Sequence, residues 1–205
     1  RNPEVRKMVQ EQEYLKQMAE AKALCEAFSE AGIPFREMQI LERNMVLQAR
    51  ALVDWCDFIL LAGGHVPTQN AFLRETGLPE LLQGFEGTVM GISAGTMNSA
   101  ALVYAQPELP GESVDPAYQR FIPGLGLTFL NILPHYQQVK DDILDGKRLY
   151  EDITYADSFG NRFLVLPDGS YVRVEQGESR LYGEGWLLED GIMRRICEND
   201  HSILL

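Results

Sequence analysis

Positive charge is scarce in this chain of 205 residues, where 18 Lys and Arg stand against 30 Asp and Glu for a formal net charge of -12. Phosphate neutralisation needs clustered cations, and these are scattered, so no nucleic-acid partner is expected. Long apolar runs are also missing. None approaches the roughly 20 residues that cross a bilayer, and the polar start Arg1-Asn2-Pro3 does not read as a secretory signal. No membrane partner is therefore expected, and a cytoplasmic location is the simplest reading. Cysteine occurs three times, at Cys25, Cys56 and Cys197, an odd number without a CxxC pair. That argues against a disulfide framework or a zinc site and leaves three core thiols. Low-complexity stretches and internal repeats are absent, and the length suits a single domain over residues 1–205.

What is present is an alternation of helical and extended patterns. Apolar residues recur at helical spacing from Val9 to Ala31 (Leu15, Met18, Cys25, Phe28), and Gly32 and Pro34 mark the end. The pattern next predicts a short strand over Phe35–Leu41, a helix over Met45–Cys56, and a strand over Phe58–Ala62 buried on both faces. A helix over Pro67–Gln83, broken near Gly77 and Pro79, leads to a strand over Thr88–Ile92. Then come a small-residue helix over Ala94–Tyr104, a long loop, a strand over Leu127–Leu133 and a helix over Val139–Ile153. Such alternation predicts parallel βαβ units with helices on both faces of the sheet.

The last fifty residues change character. Short strands at 162–166, 171–175, 180–182, 186–188 and 193–197 are separated by Asp168-Gly169, Gln176-Gly177 and Asp190-Gly191, dipeptides suited to hairpin turns. An antiparallel edge is predicted there. The chain opens on a helix with no strand before it, so a first strand of a doubly wound sheet is expected to lie outside the sequence given.

The sharpest chemical signal is Gly91-Ile92-Ser93-Ala94-Gly95, a GxSxG between an apolar strand and a helix. Its glycines permit the tight, strained turn that lifts a serine hydroxyl clear of a sheet, and the helix start points amides at developing negative charge. A serine nucleophile needs a base, and there are three histidines. His201 sits in a polar C-terminal tail. His65 follows Gly63-Gly64 at a strand end and suits substrate contact as well as base chemistry. His135, in Leu133-Pro134-His135-Tyr136 at the end of an apolar strand, is the better base, because ligands and catalytic groups gather at that edge of open α/β sheets. The base needs an orienting carboxylate. Glu108, Glu112 and Asp115 all lie in the loop between Ser93 and His135, and spacing does not choose among them. An oxyanion hole calls for two amides, which Ala94 and the Gly63-Gly64 turn, through Gly64, are placed to supply.

Together, the strand ending in Gly63-Gly64, the serine elbow, Pro134-His135-Tyr136 and the final Leu166-Pro167-Asp168-Gly169 segment resemble the peptidase family of dipeptidase E, the α-aspartyl dipeptidase, and its relative cyanophycinase. The resemblance covers nearly the whole chain beyond residue 30. It implies a three-layer, flavodoxin-like, mainly parallel sheet related to class I glutamine amidotransferases, with C-terminal antiparallel hairpins. It implies hydrolysis of small peptides through a Ser-His-Glu triad and an acyl-enzyme, with no metal or organic cofactor, in a monomer or homodimer. Serine and histidine map to Ser93 and His135, and the family's acid, about fifteen residues after the serine, maps to Glu108. His65 stands where dipeptidase E carries asparagine. A preference for an N-terminal aspartyl residue would require a cation facing its carboxylate, for which Arg148, or Lys147 or Lys140, lies in the corresponding region. The same triad would serve an esterase or another amide hydrolase, and a non-catalytic binding module could keep the elbow as scaffold.

Overall fold

The computed structural model describes residues 3–205, with side chains at 12, 15, 16 and from 18 onward. Contacts divide the chain into two compact units, Arg1–Met45 and Val46–Leu205.

In the first unit, helix α1 (Pro3–Glu30) is longer than its apolar pattern, and the chain leaves it through Gly32 at φ +85°. The part of that pattern at Val9 falls outside the described side chains. The strand expected over Phe35–Leu41 does not form. Its side chains fold back on the helix instead: the Phe35 ring meets Phe28 edge to face at 5.4 Å, and Met38 accepts a weak bond from the Cys25 thiol.

The second unit is a mixed α/β fold. A 3₁₀ stretch (Arg43–Gln48) leads into α2 (Ala49–Trp55), β1 (Phe58–Leu61), α3 (Val66–Glu75), α4 (Leu78–Leu81) and β2 (Thr88–Gly91). β1 and β2 pair in parallel, Phe58 with Thr88 through Leu61 with Gly91. Ile59, Leu61 and Val89 face a cluster with Val53, Leu73, Leu78, Leu82 and Leu125. Full burial of both faces, expected from the apolar run, is not observed. Met90 and Ile92 stay more than a third exposed, because the α2–α4 cluster covers one face of this pair.

After β2 comes α5 (Ala94–Asn98), then β3 (Leu102–Tyr104) and β4 (Phe121–Pro123), which pair antiparallel. The small-residue run read as one helix to Tyr104 is therefore a short helix and a strand. β5 (Asn131–Leu133) covers only the end of the strand expected from Leu127; Thr128 forms one isolated bridge to Ala100. The helix expected over Val139–Ile153 is likewise broken up. It resolves into α6 (Tyr136–Val139), a small hairpin of β6 (Ile143–Leu144) and β7 (Lys147–Arg148), a π-type turn over Leu149–Thr154, and α7 (Tyr155–Asp157). Asp145 (φ +52°) and Gly146 (φ +79°) form the hairpin turn, a conformation in which both residues need positive φ.

The C-terminal strands are β8 (Arg162–Val165), β9 (Tyr171–Glu175), β10 (Glu178–Tyr182), β11 (Gly185–Glu189), β12 (Ile192–Cys197) and β13 (Ser202–Leu204). They form two sheets. One runs β12-β11-β8-β5, with β5 and β8 parallel; the other runs β13-β10-β9, antiparallel throughout. Gln176-Gly177 and Asp190-Gly191 turn true hairpins, and both residues of each have positive φ. Asp168-Gly169 does not, since β8 and β9 lie in different sheets. Buried Tyr104, Leu133, Tyr150, Phe163, Val165 and Leu188 form the main core, with the rings of Tyr104 and Phe163 stacked at 4.4 Å. Cys197 is buried, Cys25 and Cys56 are partly so, and all three are free thiols. Among the described residues, no helix is long and apolar enough to cross a membrane.

Candidate active site

Ser93 sits between the last residue of β2 and the first turn of α5 with φ +54° and ψ -119°. A non-glycine residue in that region carries about 1–3 kcal/mol of backbone strain, which persists only where its surroundings dictate it. They do so here. The Ile92 amide donates to the Leu61 carbonyl at 2.9 Å and the Gly95 amide to Ala62 at 3.1 Å, binding both sides of the turn to the end of β1. A Cβ on Gly91 would stand 2.7 Å from the Thr96 nitrogen, and one on Gly95 would overlap the Leu61 carbonyl. Thus the two glycines of the GxSxG serve close backbone approach, and the serine takes the strained angle.

The Gly63-Gly64 turn lies against this elbow. A Cβ on Gly63 would be 3.3 Å from the Ser93 Cβ and 3.7 Å from its Oγ. Behind the turn a buried amide network locks α3 to α5: Asn98 Nδ2 donates to the Val66 carbonyl and to Gln69 Oε1, while Asn70 donates to Asn98 Oδ1. Asn98 is fully buried, and each of these groups finds a partner, as buried amides must. Among the described residues the Gly64 and Ala94 amides donate no hydrogen bond. Both remain available to an oxyanion.

His135 begins α6 in the left-handed region, φ +60° and ψ +25°. Its Nδ1 is 2.6 Å from Asp168 Oδ1. The parallel register explains the meeting: Leu133 of β5 lies opposite Val165 of β8, so the chains leave the same sheet edge and carry His135 and Asp168 out side by side. The Leu166 amide on Leu133 and the Tyr136 amide on Leu166 continue the pairing past the strand ends. Gln138 Nε2 donates to Asp168 Oδ2, and the Asp168 amide donates to Gln137 Oε1. The hydrogen bond from His135, helped by Gln138 and by the imidazole's charge, holds the Asp168 carboxyl below the usual carboxylate range. With Nδ1 committed to Asp168, Nε2 is the unengaged ring nitrogen.

The expected loop acids occupy other places. Glu112 Oε1 is 2.7 Å from His65 Nε2, and its Oε2 accepts the amides of Glu108 and Leu109 at 2.9 and 3.0 Å. Burial pushes the Glu112 carboxyl up, but those two amides and His65 outweigh it and leave it lowered. His65 Nδ1 meets Thr68 Oγ1 at 2.8 Å, so both its ring nitrogens are engaged and neither is free to take a proton from serine. Asp115 caps its own loop through the Ala117 amide. Glu108, expected to orient His135, makes no hydrogen bond to it. Its carboxylate is close enough to feel the charges of both His65 and His135, and crowding by protein, with the neighbouring Glu112 charge, raises its pKa.

Arg148, expected to face a substrate carboxylate, is already taken. It clasps Asp152 with Nη2 at 2.6 Å and Nε at 3.1 Å, holding that acid down to about 2. His201 bonds its own loop at the Asn199 carbonyl. Asp168, the acid that meets His135, is the group that the sequence hid, because its Asp-Gly dipeptide reads as a hairpin turn. The available signal was an acid just beyond an apolar strand, at the kind of edge where His135 was sought.

The model of Peptidase family S51 matches residues 7–182, spanning both units and including Ser93, His135 and Asp168. Among solved structures, a protein provisionally assigned as a peptidase E from Listeria monocytogenes EGD-e aligns with a TM-score of 0.47 at 16% identity, over 84% of this chain and 75% of its own. Comparison with curated proteins gives no match.

Proposed function

The chain belongs to peptidase family S51 and is a serine peptidase, and from that premise we propose that it hydrolyses small peptides through Ser93, His135 and Asp168. His135 Nε2 takes the proton of Ser93 Oγ as that oxygen attacks the scissile carbonyl. Asp168 holds the Nδ1–H tautomer and stabilises the imidazolium that forms. The Gly64 and Ala94 amides receive the developing oxyanion. The imidazolium returns its proton to the leaving amine, and water, activated by the same nitrogen, releases the acid and frees Ser93.

The observation that carries this reading is the 2.6 Å bond between His135 and Asp168. It supports Nε2 as the acting nitrogen and favours Asp168 over Glu108 in the orienting role. Supporting it are the strained Ser93 backbone and the Gly63 contact with its side chain. A flavodoxin-like, three-layer arrangement suits the two parallel pairs, β1 with β2 and β5 with β8, from whose ends these groups emerge. His65 would border the substrate with its ring face, as its nitrogens are occupied. An aspartyl preference would require Arg148 to release Asp152, so neutral first residues are expected to serve as well.

Turnover of X-Leu dipeptides tests the reading. Ser93→Ala and His135→Ala should each lower kcat by up to about a million-fold, with the thermal midpoint little changed. Undiminished hydrolysis by either folded variant would refute it.

A further inference from the structure

Between β1 and α3 the chain is fastened on both sides of the Gly63-Gly64 turn and free within it. Before the turn, the Ala62 carbonyl accepts the Gly95 amide and Gln69 Nε2. Within it, no amide or carbonyl of either glycine forms a hydrogen bond among the described residues, and the glycine backbone imposes little of its own, Gly64 sitting at φ +142°. After it comes His65, whose carbonyl accepts the Gln69 amide and whose largely buried ring is gripped at both nitrogens, by Glu112 at 2.7 Å and by Thr68 at 2.8 Å. The Thr68 contact stays within the same helix start. Glu112 differs, because it ties the turn to a segment 47 residues further along the chain. That segment is itself anchored. Glu112 Oε2 accepts the amides of Glu108 and Leu109, and the Asp145 carboxylate accepts the amides of Gly111 and Ser113 and the Ser113 hydroxyl. A charge-assisted bond from a fixed loop therefore bears on the residue next to Gly64. Placement matters there, since a donor to an oxyanion works over a narrow range of distance and a shift of about 1 Å can cost 10²-fold in rate.

We propose that Glu112 is a positioning residue that braces the Gly64 amide through His65, keeping that donor aimed at the oxyanion formed when Ser93 attacks. The inference rests on the serine peptidase reading and adds the device that sets one half of its oxyanion hole. Bracing of this kind acts on the transition state, whose oxyanion needs the donor, more than on the bound peptide. The bonds also say which substitution is tolerated. In Glu112→Gln the side-chain oxygen can keep the Glu108 and Leu109 amides while its NH2 group donates to His65 Nε2, the imidazole proton moving to Nδ1 and being donated to Thr68 Oγ1. Glu112→Ala loses the link to His65 and both loop amides. Glu112→Asp keeps the charge but is one methylene too short to span from the loop amides to the ring.

The test measures cleavage of X-Leu dipeptides and the rate of fluorophosphonate labelling of Ser93 in wild type and these variants, with urea denaturation confirming that each is folded. Glu112→Ala should lower kcat by about 10- to 100-fold, leave KM little changed and slow the labelling. Glu112→Gln should recover most of both rates. Where Glu112→Ala does not fold, Glu112→Asp gives the reading, and its kcat should fall below that of Glu112→Gln. Wild-type kcat in folded Glu112→Ala would overturn the proposal, as would a change in KM alone, an equal loss of kcat in the Ala and Gln variants, or an Asp variant as active as the Gln one. If wild type labels at Ser93 without cleaving any dipeptide, slower labelling of Glu112→Ala supports the brace and an unchanged rate overturns the brace alone. Neither labelling nor cleavage by folded wild type removes the peptidase reading along with it.

Discussion

At the scale of single residues, the central contrast is between two carboxylates near one imidazole. Asp168 is bonded to His135 and held below its ordinary range, whereas Glu108 is unbonded and raised. If Asp168 fixes the tautomer, Asp168→Asn should lower kcat by about 10⁴, while Glu108→Gln should leave kcat for a bound peptide near that of wild type. Steady-state kinetics with both variants separates the roles, and the reverse ranking would return the orienting role to Glu108. Glu108 also carries a stability signature. Because its pKa is raised on folding, the unfolded chain ionises first as the pH climbs, so the fold loses stability across the carboxylate range and bears the full penalty above it. Glu108→Gln should therefore raise the melting temperature at pH 7, by about 1–2 °C given the group's exposure, and leave it unchanged at pH 3. Equal shifts at both pH values would contradict this.

Among the elements, the turn after β1 and the elbow after β2 form one piece whose glycines have different duties. Gly95 packs on the Leu61 carbonyl, backbone against backbone, with nothing able to give way. Gly95→Ala should cost about 2–4 kcal/mol or prevent folding, read by urea denaturation. Gly63→Ala meets the Ser93 side chain at 3.3 Å and should leave the fold largely intact while crowding the nucleophile and lowering kcat. Comparable stability losses in both would show that the elbow is not held as described. The legibility of these elements in the sequence follows from the range of their interactions. β1, β2 and the serine elbow are local, with an apolar run, a tight turn and a helix start in adjacent residues, and all were readable. β3 was not, because Leu102–Tyr104 becomes a strand only by pairing with Phe121–Pro123 almost twenty residues on, while its small neighbours favour helix. The Asp168 turn was misread for a similar reason. Whether Asp-Gly closes a hairpin or joins two sheets depends on which strands β8 and β9 select as partners, and that choice is made over long range. Asp145-Gly146 shows the opposite error, a hairpin turn hidden inside an apparently helical stretch.

For the whole molecule, the family profile runs across both compact units, while the site is assembled entirely from the second, Val46–Leu205. That unit sets the Gly63-Gly64 turn against Ser93, the 108–112 loop against His65, and His135 against Asp168. The parallel alignment of β5 with β8 and the fastening of β1 to the elbow carry them into place. The proposed triad has one chemical consequence that can be measured: a single activated hydroxyl on the native protein and none on the unfolded chain. The most direct measurement is the position, by mass spectrometry, of a fluorophosphonate adduct on the folded protein. Modification should fall on Ser93 and disappear in His135→Ala and after denaturation. An unlabelled native protein, or an adduct on another serine, would contradict the assignment.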